Sequence, residues 1–474
     1  MLFNTIDFLV FFIAVTAGYF ALPHRWRWAL LLIASCGFYM AFVPVYILIL
    51  LATIVIDYYA GRWIEDTDDP AKKRRYLGIS IVSVTAILFV FKYFNFANGN
   101  VAALAHALGW NYSLAALDIV LPIGLSFHTF QSLSYVVEVY RGKQKAERHF
   151  GIYALYVMYY PQLVAGPIER PQNLLHQFHA KHHFDANRVR DGLMLTLWGL
   201  FKKVVVADTA AIYVDAVYNN ADKHTGASLL LATWLFAWQI YCDFSGYSDM
   251  ARGLSRVYGI ELMMNFDSPY QSRTITEFWT RWHISLSSWF RDYLYIPLGG
   301  NRGTAARTYF NLFAVFLVSG LWHGANWTFI AWGALHGVYQ VAERLWLPLR
   351  PKLLGRFGRG DPGPLWKLWQ NIFIFNLVAL TWVFFRAPSI TVAVRIVARI
   401  FTDFGSVFLD PWLAQVAVVL GVGVALDYYY RSTKFFDRLA QRAPSIRLAH
   451  SLALAAALLL FGVELGSNFI YFQF

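Results

Sequence analysis

Residues 265–303 read NFDSPYQSRTITEFWTRWHISLSSWFRDYLYIPLGGNRG, an apolar run continues to Leu321, and residues 322–337 read WHGANWTFIAWGALHG. Histidine, arginine, asparagine and tryptophan are concentrated here between segments long enough to cross a bilayer, where every buried polar group is costly. The rest of the chain reads as a membrane scaffold built around this stretch.

Composition agrees with that reading. Of 474 residues, 58% are hydrophobic, 18% aromatic and only 14% charged. A soluble core cannot hide so much apolar surface, so an all-α polytopic membrane protein is expected. The 40 Lys+Arg against 28 Asp+Glu give a net charge of +12. The basic residues fall in short loops, as the positive-inside rule requires, so no nucleic-acid partner is expected. Cys36 and Cys242 lie in separate apolar segments, which argues against a structural disulfide and against a metal site.

Working outward, the apolar run 8–22 is followed, not preceded, by His24, Arg25 and Arg27. That order predicts an uncleaved first helix with its N-terminus outside. Segments 29–40 and 45–60 are expected to form a hairpin broken at Pro44, 77–96 and 114–140 to be spans, and 152–170, interrupted by Pro161, Gly166 and Pro167, to be re-entrant or interfacial. Further spans follow at 192–218, 227–258, 309–322, 327–342, 368–385, 412–430 and 452–465. At ~20 residues per span this makes about 11–13 membrane segments in one domain, 1–474, with both termini outside.

Taken as one helix at 100° per residue, 276–295 puts Phe278, Trp282, Leu286, Trp289 and Tyr293 on one face, with Arg281, Ser285, Ser288 and Asp292 on the adjoining polar stripe. This describes an interfacial amphipathic helix. His283 falls on its apolar side, and spacing alone leaves a packed core role and a functional role both open. His323 interrupts an apolar segment, with Gly324 leaving room beside it and Trp322 and Trp327 as walls. A neutral imidazole bonded to a neighbouring helix and a general base are both compatible with the residues; the base is the role imidazole suits near neutral pH. His336 is thirteen residues further on with no HExxH pattern or acidic cluster, so a metal is not expected and a packing role is. Asp243 and Asp249 are expected to pair with Arg252 or Arg273.

The blocks YCDFSGYSDMA, NFDSPY, EFWTRWHISLSSWFRDYLYIPLGGNR, LWHGANW and WGALHG, with LPIGLSFHTFQSLSYVVEVYRG and QLVAGPIER upstream and TWVFFRA downstream, resemble the membrane-bound O-acyltransferase family. The likeness is to its bacterial alginate O-acetyltransferase branch, apart from His128, where tyrosine would be expected. The resemblance implies helices around a transmembrane tunnel, with catalytic His323 and a second polar site at His283. The expected catalytic stretch is 265–338, and Arg281, Trp282, Trp322 and Asn326 are its expected substrate-binding positions. The resemblance also implies an inner-membrane O-acetyltransferase with no bound cofactor that takes an acetyl group from acetyl-CoA. The group would pass outward to a periplasmic SGNH-type acetyltransferase partner that modifies an exopolysaccharide such as alginate. The tail 466–474, GSNFIYFQF, resembles an acyl-relay motif in which Tyr471 carries the acyl group. A phenol is a better leaving group than an alkyl alcohol, so such an ester would be readily passed on. D-alanyl transfer and peptidoglycan acetylation remain alternatives within the family. Outside it, the alternative is a proton-coupled transporter.

Overall fold

Helix boundaries follow the local punctuation. The Thr5 hydroxyl accepts the Phe8 N–H at 3.3 Å and opens the helix Ile6–Ala21. Pro23 separates that helix from His24–Met40, and Pro44 begins the turn leading into Ile47–Glu65. The Asp69 carboxylate, accepting from the Ala71 N–H at 2.8 Å, starts the next helix with Pro70 at its first position. The computed structural model describes residues 1–354, 363–432, 435–463 and 469–470. It is 77% helical, and no strand occurs among the described residues.

Six helices among the described residues are long and apolar enough to cross a membrane: Pro44–Glu65, Pro70–Ala107, Gly226–Tyr258, Gly363–Arg386, Leu413–Tyr430 and Pro444–Phe461. Leu459 and Leu460 on the last of these are 87% and 74% exposed, apolar surface that a bilayer would cover. The chain is an all-α, multi-pass membrane protein.

Contacts divide it into two compact units, residues 1–196 with 250–263, and residues 197–249 with 264–474. In the first, the expected span 114–140 is half a helix. Residues 110–122 are irregular and only Leu125–Tyr140 is helical. Asparagine side chains stand in for the missing backbone bonds. Asn95 donates to the Leu117 carbonyl (2.9 Å) and accepts its N–H (2.8 Å), and Asn98 donates to the Leu114 carbonyl at 3.1 Å. The segment 152–170 is irregular, as expected. It forms Phe150–Met158 and the single turn Tyr160–Leu163, buried along its length. The Tyr156 carbonyl at the break accepts from the amides of Gln162 (2.9 Å) and Gln131. His128 meets the Thr53 hydroxyl at 3.0 Å, so it holds two helices together. At the end of Ile47–Glu65, Arg148 bonds both Asp66 oxygens (3.2 and 2.8 Å) and holds that carboxyl below its ordinary pKa.

In the second unit, Ala305–His323 and Trp327–Leu354 form a tight hairpin, and Gly363–Arg386 packs against its second arm. A Cβ on Gly320 would sit 2.3 Å from the Phe329 carbonyl oxygen, and one on Gly333 would sit 2.3 Å from that of Phe316. Only glycine at both positions lets these backbones touch. The helix Ile390–Thr402 falls where the sequence reading had no segment. Arg395 and Arg399 interrupt its hydrophobicity, while Ala393, Ile396 and Ile400 share one buried face.

Candidate active site

The stretch 276–295 is not one helix. It consists of Ile275–Arg281 and Ile284–Phe290, followed by a wider π-type turn at Arg291–Tyr295. Glu343 and Thr274 fix the first piece: the carboxylate accepts the N–H groups of Ile275 (2.5 Å) and Thr276 (3.1 Å), and the hydroxyl accepts that of Glu277 (3.0 Å). The piece ends because its next backbone groups pair with the segment 265–267. Asp267 N–H donates to the Arg281 carbonyl and Ile284 N–H to that of Asn265, both at 2.9 Å. Between these bonds His283 takes φ = +44°, a left-handed conformation that costs a side-chain-bearing residue about 1–2 kcal/mol. The helical-wheel placement of His283 is thereby superseded: it caps the second short helix from a break in the first.

His283 has no exposed surface, and its Nδ1 lies 3.1 Å from Asn265 Oδ1. That oxygen also accepts the Ser285 N–H (3.2 Å) and hydroxyl (2.9 Å), while Asn265 Nδ2 donates to Ser248 at 3.3 Å. A backbone N–H can only donate, so the amide orientation is fixed. Nδ1 must therefore carry the proton, which puts the imidazole lone pair on Nε2. Phe244 meets the ring edge-on at 4.7 Å. Asn265→Ala, which strips three donors of one acceptor, is expected to lower stability by about 1–3 kcal/mol per uncompensated buried group. Thermal melting in detergent would detect this, and an unchanged melting temperature would contradict the bonding pattern.

His323 ends the first arm of the hairpin at 5% exposure. Its ring lies 4.9 Å from Trp322, 4.9 Å from Trp332 and 5.5 Å from Phe385. Two expectations are corrected here. The space beside Gly324 is filled by the Phe329 ring, which a Cβ there would meet at 2.2 Å. Trp327 is half-exposed at the start of the next helix, and Trp332 and Phe385 form the walls in its place. Trp322 neighbours both histidines, 6.4 Å from His283 and 4.9 Å from His323 between ring centres.

The other expected positions are occupied within the protein itself. Arg281 pairs with Glu277 (2.9 Å) and donates to the Asp267 carbonyl (3.3 Å). Trp282 is buried among Phe266, Phe278 and Trp382. Asn326 accepts the Thr328 N–H at 3.0 Å, as a residue preceding a helix does. His336 accepts from Trp279 Nε1 (3.3 Å) and donates from Nε2 to Thr381 (2.9 Å), whose hydroxyl is committed to the Val378 carbonyl. Both its nitrogens are thus engaged in packing three helices. No group of three metal-ligating side chains occurs among the described residues. Tyr471 lies outside the described residues.

Asn265, Phe244 and Trp332 were missed, because nothing in their own spacing marks them. Two further residues could have been noticed: Lys202 and Lys203 interrupt an apolar segment. They are the cations that meet the two carboxylates, Lys202 with Asp249 at 2.7 Å and Lys203 with Asp243 at 2.6 Å.

Comparison with known proteins gives this geometry its context. Residues 149–385 match the MBOAT, membrane-bound O-acyltransferase, family. The chain is 41% identical over 405 residues to a probable alginate O-acetylase AlgI of Azotobacter vinelandii, covering 85% of this chain and 78% of the relative. To the protein of that name in Pseudomonas aeruginosa it is 40% identical over 409 residues, 86% and 76% of the two chains. A peptidoglycan O-acetyltransferase of Helicobacter pylori is 35% identical over 439 residues, 84% of this chain and 79% of that one. With two buried histidines joined through one tryptophan, and with similarity along most of its length, the chain belongs to the membrane-bound O-acyltransferase family.

Proposed function

We propose that this enzyme takes an acetyl group from acetyl-CoA on the cytoplasmic side of a bacterial inner membrane and passes it outward. There a periplasmic acetyltransferase of the SGNH type would place it on an exopolysaccharide such as alginate. The observation that carries the reading is the packed aromatic cluster holding His283 and His323, in a chain similar over most of its length to alginate O-acetylases. His323 acts as general base: it takes the proton of the acceptor hydroxyl as that oxygen attacks the thioester carbonyl. The C–S bond then breaks and the thiolate leaves, to be protonated as the free thiol. The first acceptor is the Tyr471 phenol, and the resulting tyrosyl ester is handed to the partner. His283, held in one tautomer by Asn265, lies in the same cluster, against Phe244 and Trp322. Walls of tryptophan and phenylalanine keep water from the ester.

A second reading keeps the chemistry and changes the acceptor to peptidoglycan, favoured by the 35% identity to the peptidoglycan enzyme. Deleting the gene and measuring ester-linked acetate separately in the exopolysaccharide and the cell wall decides between them. The loss is expected in the exopolysaccharide, restored by the wild-type gene and not by Tyr471→Phe. Loss confined to the cell wall would establish the second reading. Rescue by Tyr471→Phe would remove the phenol from the pathway.

A further inference from the structure

The buried carboxylate of Asp243 does more than neutralise a lysine. One oxygen faces Lys203 Nζ at 2.6 Å, and that ammonium also binds Asp208 at 2.8 Å. The other oxygen accepts the backbone N–H of Ile470 at 2.9 Å, so a charge deep in the second unit is spent on holding the C-terminal segment. The neighbouring side chains secure the same segment. Phe469 is 2% exposed and lies against Phe244 (5.6 Å) and Tyr247 (5.0 Å). Phe244 in turn meets His283 edge-on at 4.7 Å. One ring therefore separates the tail from the histidine.

The cradle is built by an unusual turn. Residues Phe201–Ala207 form a π-helical widening, and such bulges redirect side chains and free carbonyls that an α-helix would keep to itself. Lys203 comes from this turn, as does the Val204 carbonyl, which accepts the N–H of Val463 at 3.4 Å. The same seven residues thus hold the chain on both sides of the segment 464–468. An isolated ion pair would not need that second point of attachment.

We propose that Asp243 is a positioning residue for acyl transfer: bridging Lys203 and the Ile470 amide, it seats the C-terminal segment one ring away from His283 so that the next residue in the chain can receive the acyl group. Ile470 is bonded directly to Tyr471, and successive Cα atoms are about 3.8 Å apart, so fixing one limits the reach of the other. This inference rests on the relay reading given above, in which Tyr471 carries the ester. Lys203 acts through Asp243 by fixing its orientation, and Asp208 keeps the lysine neutralised when Asp243 is removed.

The test compares full-length wild type, Asp243→Ala and the triple variant Lys203→Met, Asp208→Asn and Asp243→Leu, which removes all three buried charges together and nearly keeps the volume. Hydrogen exchange of the peptide spanning residues 469–470 reads the seat itself. Acetate on the C-terminal peptide per CoA released from labelled acetyl-CoA reads its purpose. In both variants, exchange at Ile470 should accelerate by at least about tenfold and the tail-bound fraction should fall by a similar factor, while CoA release continues through hydrolysis. Unchanged protection at Ile470 would overturn the seat, and lost protection with an unchanged tail-bound fraction would overturn the positioning role. A wild type that releases CoA without labelling its tail would sink the relay reading and this purpose with it, while exchange would still report the seat separately.

Discussion

Replacing His323 by alanine is expected to lower the rate of acyl transfer by about 10²–10⁴, the usual contribution of a positioned general base. The imidazole lies against Trp322, Trp332 and Phe385. In the proposed mechanism, cutting it away leaves the acceptor hydroxyl without a proton acceptor at the moment of attack. Alanine also opens a void between three aromatic rings, which costs stability on its own account. His323→Asn separates the two effects, since it retains more of the volume while lacking a base of suitable pKa. Both variants should lose transfer to the same extent, with His323→Asn melting closer to wild type. Transfer at the wild-type rate in either would remove His323 from the chemistry.

Gly333→Ala is the second large effect, and it needs no change to any polar group. The added methyl would sit 2.3 Å from the Phe316 carbonyl oxygen, and that neighbour is backbone, which cannot rotate away. The two arms of the hairpin must therefore part, at about 1–3 kcal/mol for an overpacked contact. Trp332 is the residue before Gly333 and lies against His323, so the shift reaches that histidine directly. A displacement near 1 Å costs about 10²-fold in rate. The expected result is a lowered melting temperature together with a loss of transfer, although both histidines are intact. A variant that melted and turned over like wild type would mean that the helices do not touch there.

Much of this architecture was legible in the sequence because bilayers impose simple demands. Apolar runs near 20 residues, proline breaks and basic loops locate most of the helices, and Pro44 and Pro161 mark real interruptions. Failures occur where side chains replace backbone partners. Residues 114–117 look like the start of a span, but Asn95 and Asn98 supply their hydrogen bonds in an irregular conformation. The helix Ile390–Thr402 was hidden by two arginines that pair outward with Asp222 and Asp403. The site was read similarly. His323 stands out as a titratable group in an apolar run, and His283 became specific through the likeness of the surrounding motif. Neither route reveals the left-handed turn at His283, because it arises from pairing with residues 265–267, some 16 to 18 positions away in the chain. Asp243 and Asp249 were recognised as needing cations, but Lys202 and Lys203 were passed over inside a hydrophobic segment where basic residues are not expected.

In the proposed reaction His323 drives transfer of an acetyl group from acetyl-CoA to Tyr471. Its most direct test is to incubate the detergent-purified enzyme with acetyl-CoA labelled in the acetyl group and map the label by peptide. Wild type should carry label on the C-terminal peptide, and both His323→Ala and Tyr471→Phe should carry none. Label that persists in His323→Ala, or CoA release from wild type with no labelled tail peptide, would contradict the account.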